Sequence, residues 1–425
     1  MNITIVALGS SGDAYPPLAL GLGLKKAGCR VRLAANPIFK TDVLKRGIDF
    51  FPIQTMLRQY LSDSPHSMKP SKPLNPLHFF RSKKKHIAPI LERIVTDIRH
   101  ACQDADLILY NMLALPAHHF AKQTGTKAFP ICLQPLGRTN GFPSPVISSN
   151  IHVPKMFNAA SYRIVETCMA LFLNNSDQLK GKASFQDFFQ EVYSENIPVL
   201  HGFSASILPK PSDWSDNMQI TGYWFMDPPR DWVPPRDLQT FLGQGPAPVC
   251  VGFGSMNDPD IDTIIKTTVQ GIRQAGHRVI LLTGWSETPF DETACPDLYV
   301  AKSIPHSWLF PKVSAVVHHG GAGTTGAAVR AGIPSVIIPF FFDQGFWADR
   351  LEKIGAGPPR LSKKILNQQT MATTINDTLN NKIMQNRLDK LSARLNAENG
   401  VENAVNLLLT AMGKGSIPRP NGSRW

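Results

Sequence analysis

Short β-branched apolar runs, each closing on turn residues and each followed by a stretch with helical spacing, recur from the first residues of the chain and leave few folds open to it. Ile3 to Leu8 comes first, then a helical pattern from about Tyr15 to Ala27, then Val31 to Ala34 and a second helical stretch before Phe50-Phe51-Pro52-Ile53. The alternation resumes with Leu107 to Tyr110, a helix through Ala117 to Lys122, and the run Ala128 to Leu133. Strands spaced by helices in this way pair in parallel, because each helix returns the chain to begin the next strand in the same direction. A break falls between Met226 and Asp237, where four prolines in a dozen residues forbid a continuing helix or central strand. Beyond it a second series begins with Pro248 to Phe253, Arg278 to Leu282, Ala315 to Val317 and Ser335 to Ile338.

The expected architecture is α/β, with two Rossmann-like open parallel-sheet domains facing across a cleft. Residues 1–225 form the first domain, 226–237 the linker, 238–400 the second domain and 401–412 a last helix, with 413–425 an aperiodic, mobile tail. A chain of 425 residues is too long for one ordinary core and comfortable for two.

Composition narrows the function classes. The six cysteines (Cys29, Cys102, Cys132, Cys168, Cys250, Cys295) show no C-x-x-C pair, so disulfide frameworks and structural zinc are both disfavoured. The chain opens on an apolar strand without a basic leader, and no apolar run reaches the ~18 residues of a spanning helix, so the expectation is a cytoplasmic protein. The net charge of +12 raises nucleic acid as a partner, but the basic residues cluster locally and without a nucleic-acid motif, which argues against it. Leu77 to Lys85 mixes aromatic and basic side chains, the chemistry of contact with an anionic membrane surface. The same segment reads equally as a solvated loop leading into a helix.

Chemistry concentrates where strands end. His318-His319-Gly320-Gly321-Ala322-Gly323-Thr324-Thr325 links a strand to a helical run. Small residues there let backbone N–H groups approach a phosphate, and a helix N-terminus adds about half a positive charge. The two threonine hydroxyls could donate to phosphate oxygens, and an imidazole beside them could neutralise or protonate a leaving diphosphate. Tight strand-to-helix packing is the alternative. Asp343 and Gln344 follow the next strand and offer acceptors and donors for a vicinal diol, or Asp343 simply caps the helix that follows. Gly252-Phe253-Gly254-Ser255 is a matching turn, its Ser255 a second diphosphate contact. Trp285, after a third strand, stacks on a base or packs.

In the first half, Gly9-Ser10-Ser11-Gly12-Asp13 joins the first strand to the first helix. A carboxylate at Asp13 can take a proton from an acceptor hydroxyl, or serve as an N-cap, and both roles can coexist. Ser11, Asn111, His118 and His119 are acceptor-side candidates. Asp-x-Asp pairs at Asp104/Asp106, Asp258/Asp260 and Asp260/Asp262 can hold a metal, but the first sits at a helix-to-strand junction and the other two precede a helical run where acids suit the dipole, so no metal or other cofactor is expected.

The run Ile304-Pro305-His306-Ser307-Trp308-Leu309-Phe310-Pro311, continuing through His318 to Thr325 and on to Pro339-Phe340-Phe341-Phe342-Asp343-Gln344, resembles the GT-B-fold glycosyltransferases. This family holds sterol glucosyltransferases, macrolide and glycopeptide glycosyltransferases and bacterial rhamnosyltransferases. The stretch is most similar to the sterol branch. Gly9 to Asp13 resembles the same family's Gly-Ser-x-Gly-Asp signature, with Ser11 where the sterol branch often has arginine, and Asn36-Pro37-Ile38-Phe39 is similar to the rhamnosyltransferases. The resemblance spans nearly the whole chain, weakly from about Arg58 to Ser204. It implies a GT-B fold and inverting, metal-independent transfer of a hexose, glucose foremost, from a UDP-sugar to a hydroxyl of a lipophilic acceptor (sterol-like, polyketide or lipid). Asp13 would be the base, His319 and Thr324 would meet the diphosphate, and Asp343 and Gln344 the sugar. The expected donor set is Ser255, Trp285, His306, His318, His319, Gly321, Gly323, Thr324, Thr325, Asp343 and Gln344. The resemblance also implies that the last helix crosses back to the first domain. A sugar-nucleotide epimerase of the same fold and a non-catalytic nucleotide-sugar sensor are the alternatives.

Overall fold

Two parallel sheets organise the computed structural model, which describes residues 1–54, 76–147, 153–173, 176, 179, 185–194, 197–229, 231–256, 258–284 and 296–413, with backbone alone for 76–87, 172 and 185–187. The first sheet comprises β1 (Asn2–Ala7), β2 (Arg30–Ala35), β3 (Asp49–Pro52), β4 (Leu107–Tyr110), β5 (Lys127–Cys132), β6 (Val199–His201) and β7 (Met218–Ile220). Its order is β3-β2-β1-β4-β5-β6-β7. The second comprises β8 (Val249–Gly252), β9 (Val279–Leu282), β10 (Leu298–Ala301), β11 (Ala315–His318) and β12 (Ser335–Ile337), ordered β10-β9-β8-β11-β12. Ile3 pairs with Val31 on one side and Leu107 on the other, and every residue of β4 is buried. Such strands are covered on both faces, which is why they read as unbroken apolar runs.

Helices α1 (Ser11–Lys26), α2 (Lys40–Lys45), α3 (Pro76–Cys102), α4 (Pro116–Thr124), α5 (Asn158–Leu173) and α6 (Phe185–Tyr193) accompany the first sheet. After β7 come α7 (Arg236–Gly243), α8 (Ile261–Gln274), α9 (His306–Leu309), α10 (Ala322–Ala331), α11 (Gln344–Lys353), α12 (Gln368–Asn380), α13 (Lys382–Ala397) and α14 (Gly400–Ala411). The described residues between β7 and α7 carry neither helix nor strand, as the prolines dictate. No helix among the described residues is long and apolar enough to cross a membrane.

The first helix departs from expectation. It starts at Ser11, not near Tyr15, and passes through Pro16 and Pro17. Ser10 supplies the extended N-cap, so Asp13 occupies the third helical position and is not itself the cap. The prolines lack the N–H groups that would bond the carbonyls of residues 12 and 13, which lie at the cleft edge.

The halves share their interior. One core unites Phe203, Ile207 and Leu208 with Val329, Trp347 and Leu351. Ala404, Val405, Leu408 and Leu409 of α14 pack with Ile3, Ile5, Leu20 and Leu24, so the last helix does return to the first sheet. Asn403 Nδ2 donates to Thr221 O at 3.0 Å, and Lys127 Nζ to Ala411 O at 3.1 Å.

Candidate active site

In each sheet the strand order reverses once, between β1 and β4 in the first and between β8 and β11 in the second. Loops leaving adjacent strands at such a point diverge to opposite faces and open a crevice at the strand C-termini. The glycine turns Gly9 to Asp13 and His318 to Gly321 occupy those two positions.

On the first side, Asn111 clamps the two strand ends together: its Oδ1 accepts from Leu8 N–H at 3.3 Å and its Nδ2 donates to Leu8 O at 2.7 Å. Asn111 therefore ties the end of β4 to the start of the Gly9–Asp13 loop, its amide spent on backbone. Asp13 Oδ2 accepts from Ser10 N–H at 2.8 Å and Ser10 Oγ at 3.1 Å. Gly9, at φ +129°, passes so close that a Cβ would fall 2.3 Å from Asp13 Oδ2. Burial pushes the Asp13 carboxyl above its ordinary value, and the Ser10 hydrogen bonds pull partly against that. Ser11 is half-buried at the first position of α1.

His118 is placed otherwise than the sequence reading had it. Its Nδ1 meets Tyr110 OH at 3.1 Å, its Nε2 meets Glu191 at 3.0 Å, and its ring packs edge-on to Phe188. Both nitrogens are committed inside the domain, leaving none for an acceptor. His119 is likewise buried, with Gln123 Nε2 2.9 Å from its Nε2.

On the second side, His318 Nδ1 accepts from Gly320 N–H at 3.0 Å, which leaves the proton on Nε2, buried and without a partner among the described residues. His319 lies against the next turn: a Cβ at Gly321 would be 2.6 Å from its Nε2. Its Nδ1 and the Thr325 hydroxyl are likewise buried and unpartnered among the described residues. Orphaned donors at a helix start are what an anionic ligand would satisfy. Thr324 is half-buried on α10 beside them, and Ser255 lies in the loop after β8. His306, first residue of α9, stacks on Phe310 at 4.5 Å.

Burial pushes His306 and His319 down to about 4 and lowers His318 further in the same direction. The imidazoles are therefore neutral donors at pH 7, not standing cations.

Asp343 is the N-cap residue of α11, but its carboxylate turns away from that role, and Oδ2 accepts from Trp347 Nε1 at 2.8 Å. Its carboxyl is pushed up to about 6 by burial first, against the Trp347 bond, with Asp13 raising it further. Gln344 is buried, with Oε1 accepting from the N–H groups of Phe340 (2.7 Å) and Phe341 (3.2 Å). These bonds brace the turn in which Phe342 takes φ +52°. The amide oxygen is thereby spent on backbone, and Nε2 donates to Met256 Sδ at 3.3 Å. A small cavity between the halves is lined by Pro16, Leu133, Tyr223, Trp224, Ala322 and Gly323 among others.

Trp285 lies outside the described residues. Of the Asp-x-Asp pairs, Asp104 bonds Arg32 and Asp258 bonds Lys363 at 2.5 Å. No group of three or more metal-type side chains occurs among the described residues. Sequence reasoning missed Trp347, though its place four residues after Asp343 puts both on one helical face.

The arrangement defines a GT-B-fold protein. Comparison with known proteins carries this further. The family model for the glycosyltransferase family 28 N-terminal domain matches residues 3–110, and that for the erythromycin biosynthesis protein CIII-like C-terminal domain matches residues 272–408. A sterol 3-beta-glucosyltransferase of Neosartorya fischeri is 30% identical over 95% of this chain and 29% of its own length. One from Debaryomyces hansenii is 31% identical over 95% of this chain and 26% of its own. The chain thus spans less than a third of those relatives. Among solved structures, the calicheamicin glycosyltransferase superposes with TM-score 0.67 at 15% identity, covering 97% of this chain and 98% of that one. The spinosyn forosaminyltransferase gives 0.67 at 14%, covering 97% and 100%. At such identities the likeness speaks for the fold. The chain belongs to the GT-B-fold glycosyltransferase family.

Proposed function

We propose that this chain transfers a hexose, glucose foremost, from a UDP-sugar to a hydroxyl of a lipophilic acceptor of sterol-like, polyketide or lipid character. The observation that carries the reading is the pairing across one cleft of a half-buried carboxylate, Asp13, with an anion cradle of orphaned donors at the start of α10. The acceptor oxygen attacks the anomeric carbon while Asp13 takes its proton, and the bond to the diphosphate breaks. The departing charge is met by the helix N-terminus, the threonine hydroxyls and His319 as a hydrogen-bond donor. A single displacement inverts the anomeric centre and calls for no metal.

The relatives' name, sterol 3-beta-glucosyltransferase, supports a glucose donor and a sterol-like acceptor. Similar structures have been solved with dTDP and with UDP, which fits a nucleoside diphosphate in the second half. A lipophilic acceptor also fits cytoplasmic work at a membrane surface through Leu77 to Lys85 at the start of α3. On α5, Phe157 just before it, Ile164 and Leu171 are exposed.

The test is UDP release from UDP-glucose against a panel of lipophilic alcohols, with Asp13→Asn beside the wild type. Turnover in the wild type, lost by ~10²-fold or more in a variant that still binds donor, is the expected result. Tight donor binding without transfer to any alcohol would overturn the reading.

A further inference from the structure

We infer that Trp347 is a positioning residue through which contact between the two halves of the molecule sets the carboxylate of Asp343 for the donor sugar. The inference rests on the proposed sugar role of Asp343 and assigns the group that controls it.

Trp347 stands one helical turn beyond Asp343 on α11, and its indole N–H donates to Asp343 Oδ2 at 2.8 Å. The indole is fully buried, at 0% exposure. Part of what encloses it belongs to the other half: Phe203 meets its ring edge-on at 5.5 Å, with Phe346 of α11 on it at 5.3 Å. Its neighbours on α11 repeat the pattern. Phe346 lies 5.1 Å from Phe142, in the segment after β5, and Arg350 Nε donates to Ile207 O at 2.5 Å. One helix thus carries three contacts to the first half within five residues, and the central one also holds the carboxylate.

A carboxylate held by a single fixed donor keeps one oxygen for a ligand and cannot swing freely. It is also held ionised, since an N–H donated to the charged form opposes the burial and the nearby Asp13 charge that favour protonation. If the halves draw apart, Phe203 leaves the indole, and the ring that orients Asp343 loses the packing that fixes it. Recognition of the sugar is thereby tied to closure of the cleft.

The experiment compares UDP with UDP-glucose binding by calorimetry in wild type, Trp347→Phe, Phe203→Leu and Asp343→Asn. Trp347→Phe keeps an aromatic ring and removes the donor. Expected is a loss of about tenfold in UDP-glucose affinity, the scale of one hydrogen bond to a charged group, with UDP affinity unchanged. The pH at which UDP-glucose binding falls should also move upward, because Asp343 without the indole proton is harder to ionise. Phe203→Leu should reproduce the selective loss more weakly. Equal losses for both ligands, or no loss for either, would overturn the inference. A separate outcome marks the underlying reading: if Asp343→Asn leaves UDP-glucose binding as tight as in the wild type, the sugar role of Asp343 falls and this inference with it.

Discussion

Asp343 shows how a single side chain couples ionisation to folding. Its carboxyl stands at about 6 in the folded chain against an ordinary 3.8, so the folded state holds the proton more tightly than the unfolded one. The stability this confers is fully present below about pH 4 and is lost as pH rises through about 6. Asp343→Asn, which cannot ionise and still accepts from the indole, should therefore raise the melting temperature over the wild type at pH 7.5 and leave it nearly unchanged at pH 4. A rise of the same size at both pH values would count against this account. Asp13 and Asp343 were both legible in the sequence, because each follows an apolar run at a strand end. The fate of Gln344 was not. Its amide serves the backbone of Phe340 and Phe341, and nothing in the spacing tells a glutamine that faces a ligand from one that braces its own turn. His118 was misread for a related reason, since its partners Tyr110 and Glu191 are distant in sequence and adjacent only after folding.

Among the elements, strands were the most legible, since a parallel strand covered on both faces must be apolar throughout. Helix starts were less so. The pattern after β1 pointed to a helix from Tyr15, but the Ser10–Asp13 pairing begins α1 at Ser11 and tolerates the two prolines beyond. That shift matters chemically, as it makes Asp13 part of a rigid helical turn and not of the loop before it. At the head of α3 the sequence offers three consecutive lysines after two phenylalanines. Reversing the charge of Lys83, Lys84 and Lys85 together should abolish salt-sensitive sedimentation with vesicles containing anionic lipid, while leaving UDP-glucose turnover with a soluble alcohol intact. Vesicle binding that survives the reversal would remove α3 from the membrane-facing surface.

At the scale of the molecule, the chain crosses between the halves twice, and the crossings touch. A Cβ on Gly400 would fall 2.3 Å from Tyr223 O and 2.6 Å from the Gly222 carbonyl carbon. Backbone meets backbone there, so Gly400→Ala should cost about 1–3 kcal/mol in denaturant unfolding, the usual range for overpacking. An unchanged midpoint would mean the crossings are free to part. The two-sheet plan and the return of α14 were legible from the order of strands and from the family resemblance. The shared core of Phe203, Val329 and Trp347 was not, because a contact between halves leaves no periodicity in either.

The return of α14 has a consequence for how the protein is made. Val405 and Leu408 belong to the core around Ile3 and Leu20, so the first half of this chain, once it has left the ribosome, lacks part of its own interior until the second half has been translated. Its earliest strands must wait, partly uncovered, for some four hundred residues of synthesis. A recombinant that exchanges the two halves between relatives has to carry residues 400–411 with the first half, or it will join a first sheet to a helix cut for another one.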